Sequence, residues 1–246
     1  MKGPFSYVYQ FYGPYIPRPY IMDNPMYRYS LSRTNPIQIK TQEIHYSDEY
    51  IKADLKYPEI DGLEDKKVQS FINNSIKNDI MEFKNQMERA AKEAAEEARR
   101  NGEEFKPFVI SSVYEVTYNK NNLLSISIVY HQYINGRNSY IKTSYNFNLM
   151  NGESMSLKDL FKEGVDYRSI INKEVRKELI LNREKYFPDT LENFKGIAEY
   201  HPFYIDDNGI DIYFGFHEIA PIASDIPIIH IPFSALRNYM KPRYLR

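Results

Sequence analysis

The sequence predicts an α+β fold in which an antiparallel meander sheet is packed by one long helix and followed by a second, smaller α+β unit. Three observations predict it. Between Asp61 and Gly102, apolar residues recur at Val68, Ile72, Ile76, Ile80, Phe83, Met87, Ala90 and Ala94, at gaps of three and four that define one stripe of a helix. From Phe108 to Leu149, three β-rich runs are separated by Asn-rich and Asn-Gly turns. After Leu149, short helical patterns are followed by a hairpin and a closing strand.

Taken in order, residues 1–35 read as a flexible tail in which seven tyrosines alternate with prolines at 4, 14, 17, 19 and 25. Proline fixes φ and removes a donor, so an extended, polyproline-like conformation is expected there. The tail is read either as a flexible extension or as an arm that docks or cross-links through its tyrosines. Residues 37–46 and 49–57 alternate as a hairpin turning at Ser47-Asp48, with Tyr57-Pro58 expected to end the second strand. Asp61, with Glu64 three residues on, is expected to cap the long helix in a capping box, and Asn101-Gly102 to stop it. At 1.5 Å per residue that helix is about 55–60 Å long. Its second half, Glu88–Arg100, is rich in Ala, Glu, Lys and Arg and is expected to face solvent. Leu123–Tyr133 places Leu124, Ile126, Ile128 and Tyr130 on one face, so the helix covers one side of the sheet and the other stays wet. The predicted boundaries are a tail at 1–35, a long-helix and antiparallel-sheet domain at 36–148, and a second α+β domain at 149–246.

The second domain opens on a helical turn at Ser156–Phe161, capped by Ser156 with Asp159 three residues later. A helix near Tyr167–Asn182 follows, capped by Asp166, with Ile170, Ile171, Val175 and Leu179 inward. A further helical piece is read at Thr190–Ile197, a hairpin at 202–215 around Asp207-Asn208-Gly209, a strand at Ile226–Ile231, and a last turn from Ser234 to Tyr239. Phe216–Asp225 reads as an irregular loop.

Composition excludes several function classes. The chain has 246 residues, 42% of them hydrophobic, which suffices for a sizeable core. Its net charge of −1 carries no nucleic-acid or anionic-membrane signature. With no cysteine there is no disulfide, thiolate metal site or cysteine nucleophile. No apolar run reaches the roughly 18–20 residues of a membrane helix. Lys2 is followed at once by Gly3-Pro4, so no signal peptide is read, and the chain is expected to be soluble and not exported by that route. Tyrosine is the unusual residue, at 23 against no tryptophan.

No catalytic set assembles from spacing. His217-Glu218 lacks the second histidine of a zinc-protease helix, since position 221 is a helix-breaking proline. His45, His131, His201 and His230 fall on separate strands or their ends. Asp206-Asp207-Asn208-Gly209-Ile210-Asp211 resembles a calcium loop only in part and suits a hairpin tip better, because no bidentate acid closes it. Glu199 with Glu218, or Asp207 with Asp211, offers a carboxylate pair for glycoside chemistry that nothing in the spacing favours over surface acids. There is no Gly-x-Ser-x-Gly elbow and no phosphate-cradling glycine loop. Tyr204 and Tyr213 read as a cross-strand packing pair, and Ile219-Ala-Pro-Ile-Ala223 as a corner shaped by Pro221. No cofactor and no metal are called for.

Two segments taken together resemble a known family. One runs Asn135-Gly-Arg-Asn-Ser-Tyr140 and on through Tyr145–Phe161; the other runs Phe203–Phe214, His217–Ala223 and Ile231–Leu236. Their order and spacing, with the Tyr57–Leu63 entry into the long helix, resemble the extracytoplasmic domain of the anti-sigma-V, lysozyme-sensing factors. The same domain pair accompanies a bacterial peptidoglycan deacetylase, so 36–148 resembles the deacetylase-associated part and 149–246 the anti-sigma C-terminal part. The resemblance implies a binding protein without enzymatic activity, with a protein ligand of the lysozyme kind or peptidoglycan as partner. It implies a binding surface on two loops: the Gly136–Tyr140 turn, offering Arg137, Asn138 and Tyr140, and the Phe216–Ser224 loop, offering His217, Glu218, Pro221 and Ser224. Where relatives carry a second glycine and a histidine in the first turn, this chain has Arg137-Asn138-Ser139. The expectation is therefore a binding protein of the cell envelope or spore surface. The alternatives are an enzyme acting on cell-wall glycans and a coat protein held by its Tyr-rich tail.

Overall fold

The computed structural model describes residues 36–221 and 225–245. The predicted tail, and Ser224 of the second candidate loop, lie outside the described residues. The chain is mixed α+β. A five-stranded sheet in the order β1 (Gln38–Ser47), β2 (Ile51–Asp61), β3 (Phe108–Lys120), β4 (Leu123–Ile134), β5 (Arg137–Asn148) is accompanied by a long helix α1 (Lys66–Asn101). A three-stranded sheet of β6 (Phe203–Ile205), β7 (Gly209–Tyr213) and β8 (Ile228–Pro232) is accompanied by α2 (Leu157–Leu160), α3 (Tyr167–Leu181), α4 (Thr190–Asn193) and α5 (Phe233–Leu236). Among the described residues no helix is long and apolar enough to cross a membrane. The described chain divides into two compact units. Unit 1 holds residues 38–114 and 128–143; unit 2 holds residues 36–37, residues 115–127 and the described residues from 144 on.

In unit 1, α1 is one unbroken helix of 36 residues. Val68, Ile72, Ile76, Ile80, Phe83, Met87, Ala90 and Ala91 are buried, and the helix packs on β2. The buried stripe ends at Ala91: Ala94, expected on it, is half-buried, and burial reaches Ala90 and Ala91 inside the segment expected to face solvent. Lys84 is also buried, which a cation tolerates only when paired. Its Nζ lies 2.9 Å from Glu88 and 4.0 Å from the centre of the Tyr46 ring. The C-terminus matches the Asn-Gly signal: Gly102 is left-handed at φ 71°, and Glu103 N–H donates to the Ala98 carbonyl.

The N-terminus differs from expectation. Asp65 caps the helix, its Oδ1 accepting from Lys67 N at 2.8 Å and Val68 N at 3.2 Å. Asp61 instead ends β2 and pairs with Lys40 at 2.9 Å. The reason lies at Pro58, which does not end the strand. β3 pairs with β2 only from Ile51 to Leu55. Past that point the backbone groups facing away from β1 find side chains: Lys56 O accepts from Ser112 Oγ, and Asn73 serves both Ile60 N and Ile60 O. Pro58 lies two residues from each, so its missing N–H falls on the side β3 has left. The strand runs on to Asp61, and the cap moves four residues down the chain.

A second difference is that β2 and β3 pair in parallel, joined through α1, so the sheet is mixed. β3–β5 follow as hairpins. Asn121 and Asn122 turn at φ 56° and 57°, and Asn135-Gly136 at φ 49° and 80°. A third is that β4 is buried on both faces from Leu123 to Ile128, so Ser125 and Ser127 face no solvent.

In unit 2, Ser125 and its neighbours explain that burial. Ser125 Oγ donates to Asn146 Oδ1 at 2.7 Å and accepts from Ile205 N at 3.0 Å. Asn146 Nδ2 and Ser144 Oγ both donate to the Phe203 carbonyl, at 2.8 and 2.6 Å, and Ser144 Oγ lies 2.9 Å from Tyr213 Oη. β6 is an edge strand, and these side chains satisfy its outward backbone groups. The apolar core joins Ile171, Val175 and Leu179 of α3 to Ile210, Ile212, Ile229 and Ile231 of the small sheet. Asp166 caps α3, accepting from Ser169 N, and Asp159 accepts from both Ser156 N and Ser156 Oγ. The last turn begins at Phe233 after Pro232, and Ser234 does not cap it.

Candidate functional site

In unit 1 the β4–β5 turn forms a polar, aromatic cluster. A two-residue hairpin joining Ile134 to Arg137 puts His131 level with Tyr140. Their rings stack at 4.9 Å with 29° between planes. His131 Nε2 lies 2.7 Å from Asn138 Oδ1, and Nδ1 lies 3.5 Å from Ser111 Oγ. Asn138 and Arg137 are exposed, while Tyr140 and His131 are half-buried. An imidazole that meets a carboxamide on one nitrogen and a hydroxyl on the other is held in place, and it fixes the tyrosine ring beside it. Two of the three predicted turn residues, Asn138 and Tyr140, therefore meet through His131, which the sequence places only on a strand separate from the other histidines. The hairpin register was the signal that could have found it.

In unit 2 the second loop is shaped by its own side chains. Glu218 N donates to Gly215 O at 3.0 Å, and the Glu218 carboxylate accepts from Gly215 N, closing a tight turn with His217 at φ 63°. His217 meets the Phe187 ring edge-on at 5.1 Å. Ile219 O accepts from Phe187 N and Thr190 Oγ1, and Ala220 is buried. Pro221 is exposed at the corner. Glu218 thus spends its carboxylate on the loop's own backbone. His201 lies beneath, edge-on to Phe214 at 4.9 Å; burial pulls its pKa below the usual histidine value, against the opposing pull of Glu218 and of the Tyr213 carbonyl. Glu199 is exposed, and its carbonyl accepts from Tyr167 Oη.

The small sheet of unit 2 carries a group that sequence reasoning did not assemble. Asp211 and His230 are cross-strand partners on β7 and β8, with Asp211 Oδ1 3.0 Å from His230 Nδ1. Asp206, just after β6, has its Oδ2 3.9 Å from the same nitrogen. One donor atom from each of the three falls within 4.8 Å of the others. Asp206 Oδ1 accepts from Asn208 N and Gly209 N, both at 2.7 Å, so the hairpin-tip reading holds and leaves Oδ2 turned toward the imidazole. Gly209 is required here, since a Cβ would stand 2.8 Å from His230 Cε1 and 2.3 Å from Ile231 O. Tyr204, opposite Asp211, and Tyr213 lie on the same face with ring centres 6.1 Å apart, as a diagonal packing pair. Burial and the nearby Asp211 push the Tyr204 hydroxyl well above the usual tyrosine range.

Two stretches of the chain match family models of known domain types. Residues 44–139 match the family model described as deacetylase PdaC, and residues 158–234 match a protein family of unknown function, DUF3298. No curated protein matches the chain. Among solved structures, a DUF3298 family member from Bacteroides fragilis superposes with a TM-score of 0.64 at 17% identity, covering 85% of this chain and 95% of that one. A DUF3298 family protein from Pseudomonas aeruginosa gives a TM-score of 0.60 at 12% identity, covering 85% and 96%. At these identities the likeness is one of fold.

Proposed function

We propose that this chain, which pairs a PdaC-like domain with a DUF3298 domain, is a non-enzymatic binding protein of the cell envelope or spore surface. Its ligand on this reading is a protein of the lysozyme kind. The observation that carries the reading is the β4–β5 turn: exposed Arg137 and Asn138 lie beside a tyrosine ring that stacks on His131, and His131 in turn meets Asn138. Arginine and tyrosine are the residue types that dominate binding energy at protein interfaces, and a ring already held in place loses little entropy on docking. The domain types support an extracytoplasmic-type setting, and the resemblance to lysozyme-sensing anti-sigma domains supports the ligand class. The second loop supports the same reading more weakly, since Glu218 is occupied in shaping it and His217 remains at its surface.

The test is retention of the protein on immobilised lysozyme, with intact peptidoglycan as a second arm. Saturable binding at micromolar concentration is expected. Replacing Asn138 and Tyr140 together by alanine should weaken it about tenfold or more, a loss of about 1.4 kcal/mol. No retention on lysozyme overturns the ligand assignment, and retention on peptidoglycan alone replaces it with a glycan. The competing reading, an enzyme on cell-wall glycans, has its foothold in the acid–imidazole group of β6–β8. Turnover of peptidoglycan that is lost in Asp211→Asn would establish it in place of the binding reading.

A further inference from the structure

We propose that Asp206, Asp211 and His230 form a binding site for one divalent transition-metal ion, for which zinc is the natural probe. This goes beyond the ligand-binding reading and does not depend on it.

Three features converge. The first is donor geometry: the His230 Nδ1 to carboxylate separations of 3.0 and 3.9 Å bracket the about 3.4 Å between neighbouring donors around a zinc ion with bonds near 2.1 Å. The second is charge. Two carboxylates turn toward one imidazole nitrogen, and the Asp211 side chain is only 8% exposed, so its charge is costly without close compensation. A divalent ion held between the two carboxylates would neutralise both. The third is fixity. Asp206 is held by two backbone amides through its other oxygen, Asp211 by its place inside β7, and the His230 ring by the bare backbone of Gly209 beneath it. Donors held before the ion arrives are what a small site needs. One nitrogen and two carboxylate groups form a mixed donor set that suits zinc or manganese, and three protein ligands leave room for water. The ion would join β7 and β8 to the turn that follows β6.

A second histidine shows why the arrangement is specific. His45 also faces two carboxylates, Glu43 at 3.0 Å and Asp54 at 3.2 Å, but through opposite ring nitrogens. No single ion bound to one of those nitrogens reaches both acids. At His230 both acids meet one nitrogen.

The experiment uses the full chain without a histidine tag, stripped by a chelator and titrated with zinc chloride in a calorimeter. One equivalent is expected to bind at micromolar affinity or tighter and to raise Tm. His230→Gln and Asp206→Asn should each weaken binding about tenfold or more. Asp206→Asn keeps the oxygen that accepts from Asn208 and Gly209, so it retains the turn, and circular dichroism checks that it folds. His45→Gln should bind zinc like the unaltered chain. The proposal is overturned if no saturable one-site binding of zinc is seen, if His230→Gln and Asp206→Asn bind it unchanged, or if His45→Gln abolishes the binding.

Discussion

Unit 1 and unit 2 are held together by different physics. In unit 1 a helix lays an uninterrupted apolar stripe on a sheet, and Lys84, buried beside that stripe, is paired one turn along the same helix with Glu88. In unit 2 buried side chains from β4 and β5 reach 57 to 80 residues along the chain to tie down the backbone of β6. Apolar burial is non-directional, so many side chains can contribute and each loss is graded by area and cavity. Hydrogen bonds inside a core are directional, and each one lost leaves an unmet group. Unit 1 should therefore respond to volume and unit 2 to chemistry.

The largest effect expected is in unit 1. Phe83 is 1% exposed, and its ring lies 4.6 Å from that of Tyr130. Phe83→Ala removes both the burial and the ring contact and should cost about 3–5 kcal/mol, read by chemical denaturation. Phe83→Leu, which keeps most of the volume, should cost far less. If the two variants cost the same, the contrast drawn for unit 1 fails.

The next effect belongs to unit 2. Asn146 is 4% exposed and makes bonds to both Ser125 and the Phe203 carbonyl. Asn146→Leu keeps the volume and removes both bonds, leaving the Phe203 carbonyl with Ser144 alone and Ser125 without its acceptor. A cost of about 1–3 kcal/mol is expected, with amide exchange accelerated in β6 before α1. A neutral outcome would show that unit 2, like unit 1, reads volume only.

The same contrast decides how much of the molecule was legible in the sequence. The stripe of α1, its Gly102 stop, the Asn-Gly hairpin, the Asp166 cap and the inward face of α3 rest on local spacing, and the structure has each of them. What failed locally was the helix start, because the side of β2 on which Pro58 lacks its N–H depends on where β3 parts from β2. The parallel β2–β3 pairing was illegible for a similar reason, since a crossover through a helix is not written in either strand. At the candidate sites, Asn138 and Tyr140 were reached by resemblance, whereas His131 follows from counting across a two-residue turn. Asp206, Asp211 and His230 needed the register of β7 with β8, in which Asp211 faces a residue 19 positions further along the chain. The burial of Ser125 was invisible because its partners lie 21 and 80 residues away.

The smallest effect expected sharpens the comparison through pH. His201 in unit 2 has a buried Nε2 with no hydrogen-bond partner among the described residues, and burial holds its pKa below the ordinary 6.5. The unfolded chain therefore binds a proton at His201 more readily than the folded one. Stability contributed by keeping this ring neutral is full above about pH 6.5 and is lost as pH falls from there toward the lower folded value. The carboxylates held low in unit 1 behave differently. Lys92 and Lys84 hold Glu88 below the usual carboxylate range, and Lys40 does the same for Asp61. Their contribution is lost only as pH falls below their ordinary values of 4.5 and 3.8. Between pH 7.5 and 5.5, then, Tm should fall with acidification, and amide exchange should quicken in β6 and β7 while α1 is unchanged. His201→Leu should flatten that slope whatever it does to Tm at pH 7.5. A slope that survives the substitution would assign the pH response to another group and remove His201 from the account of unit 2.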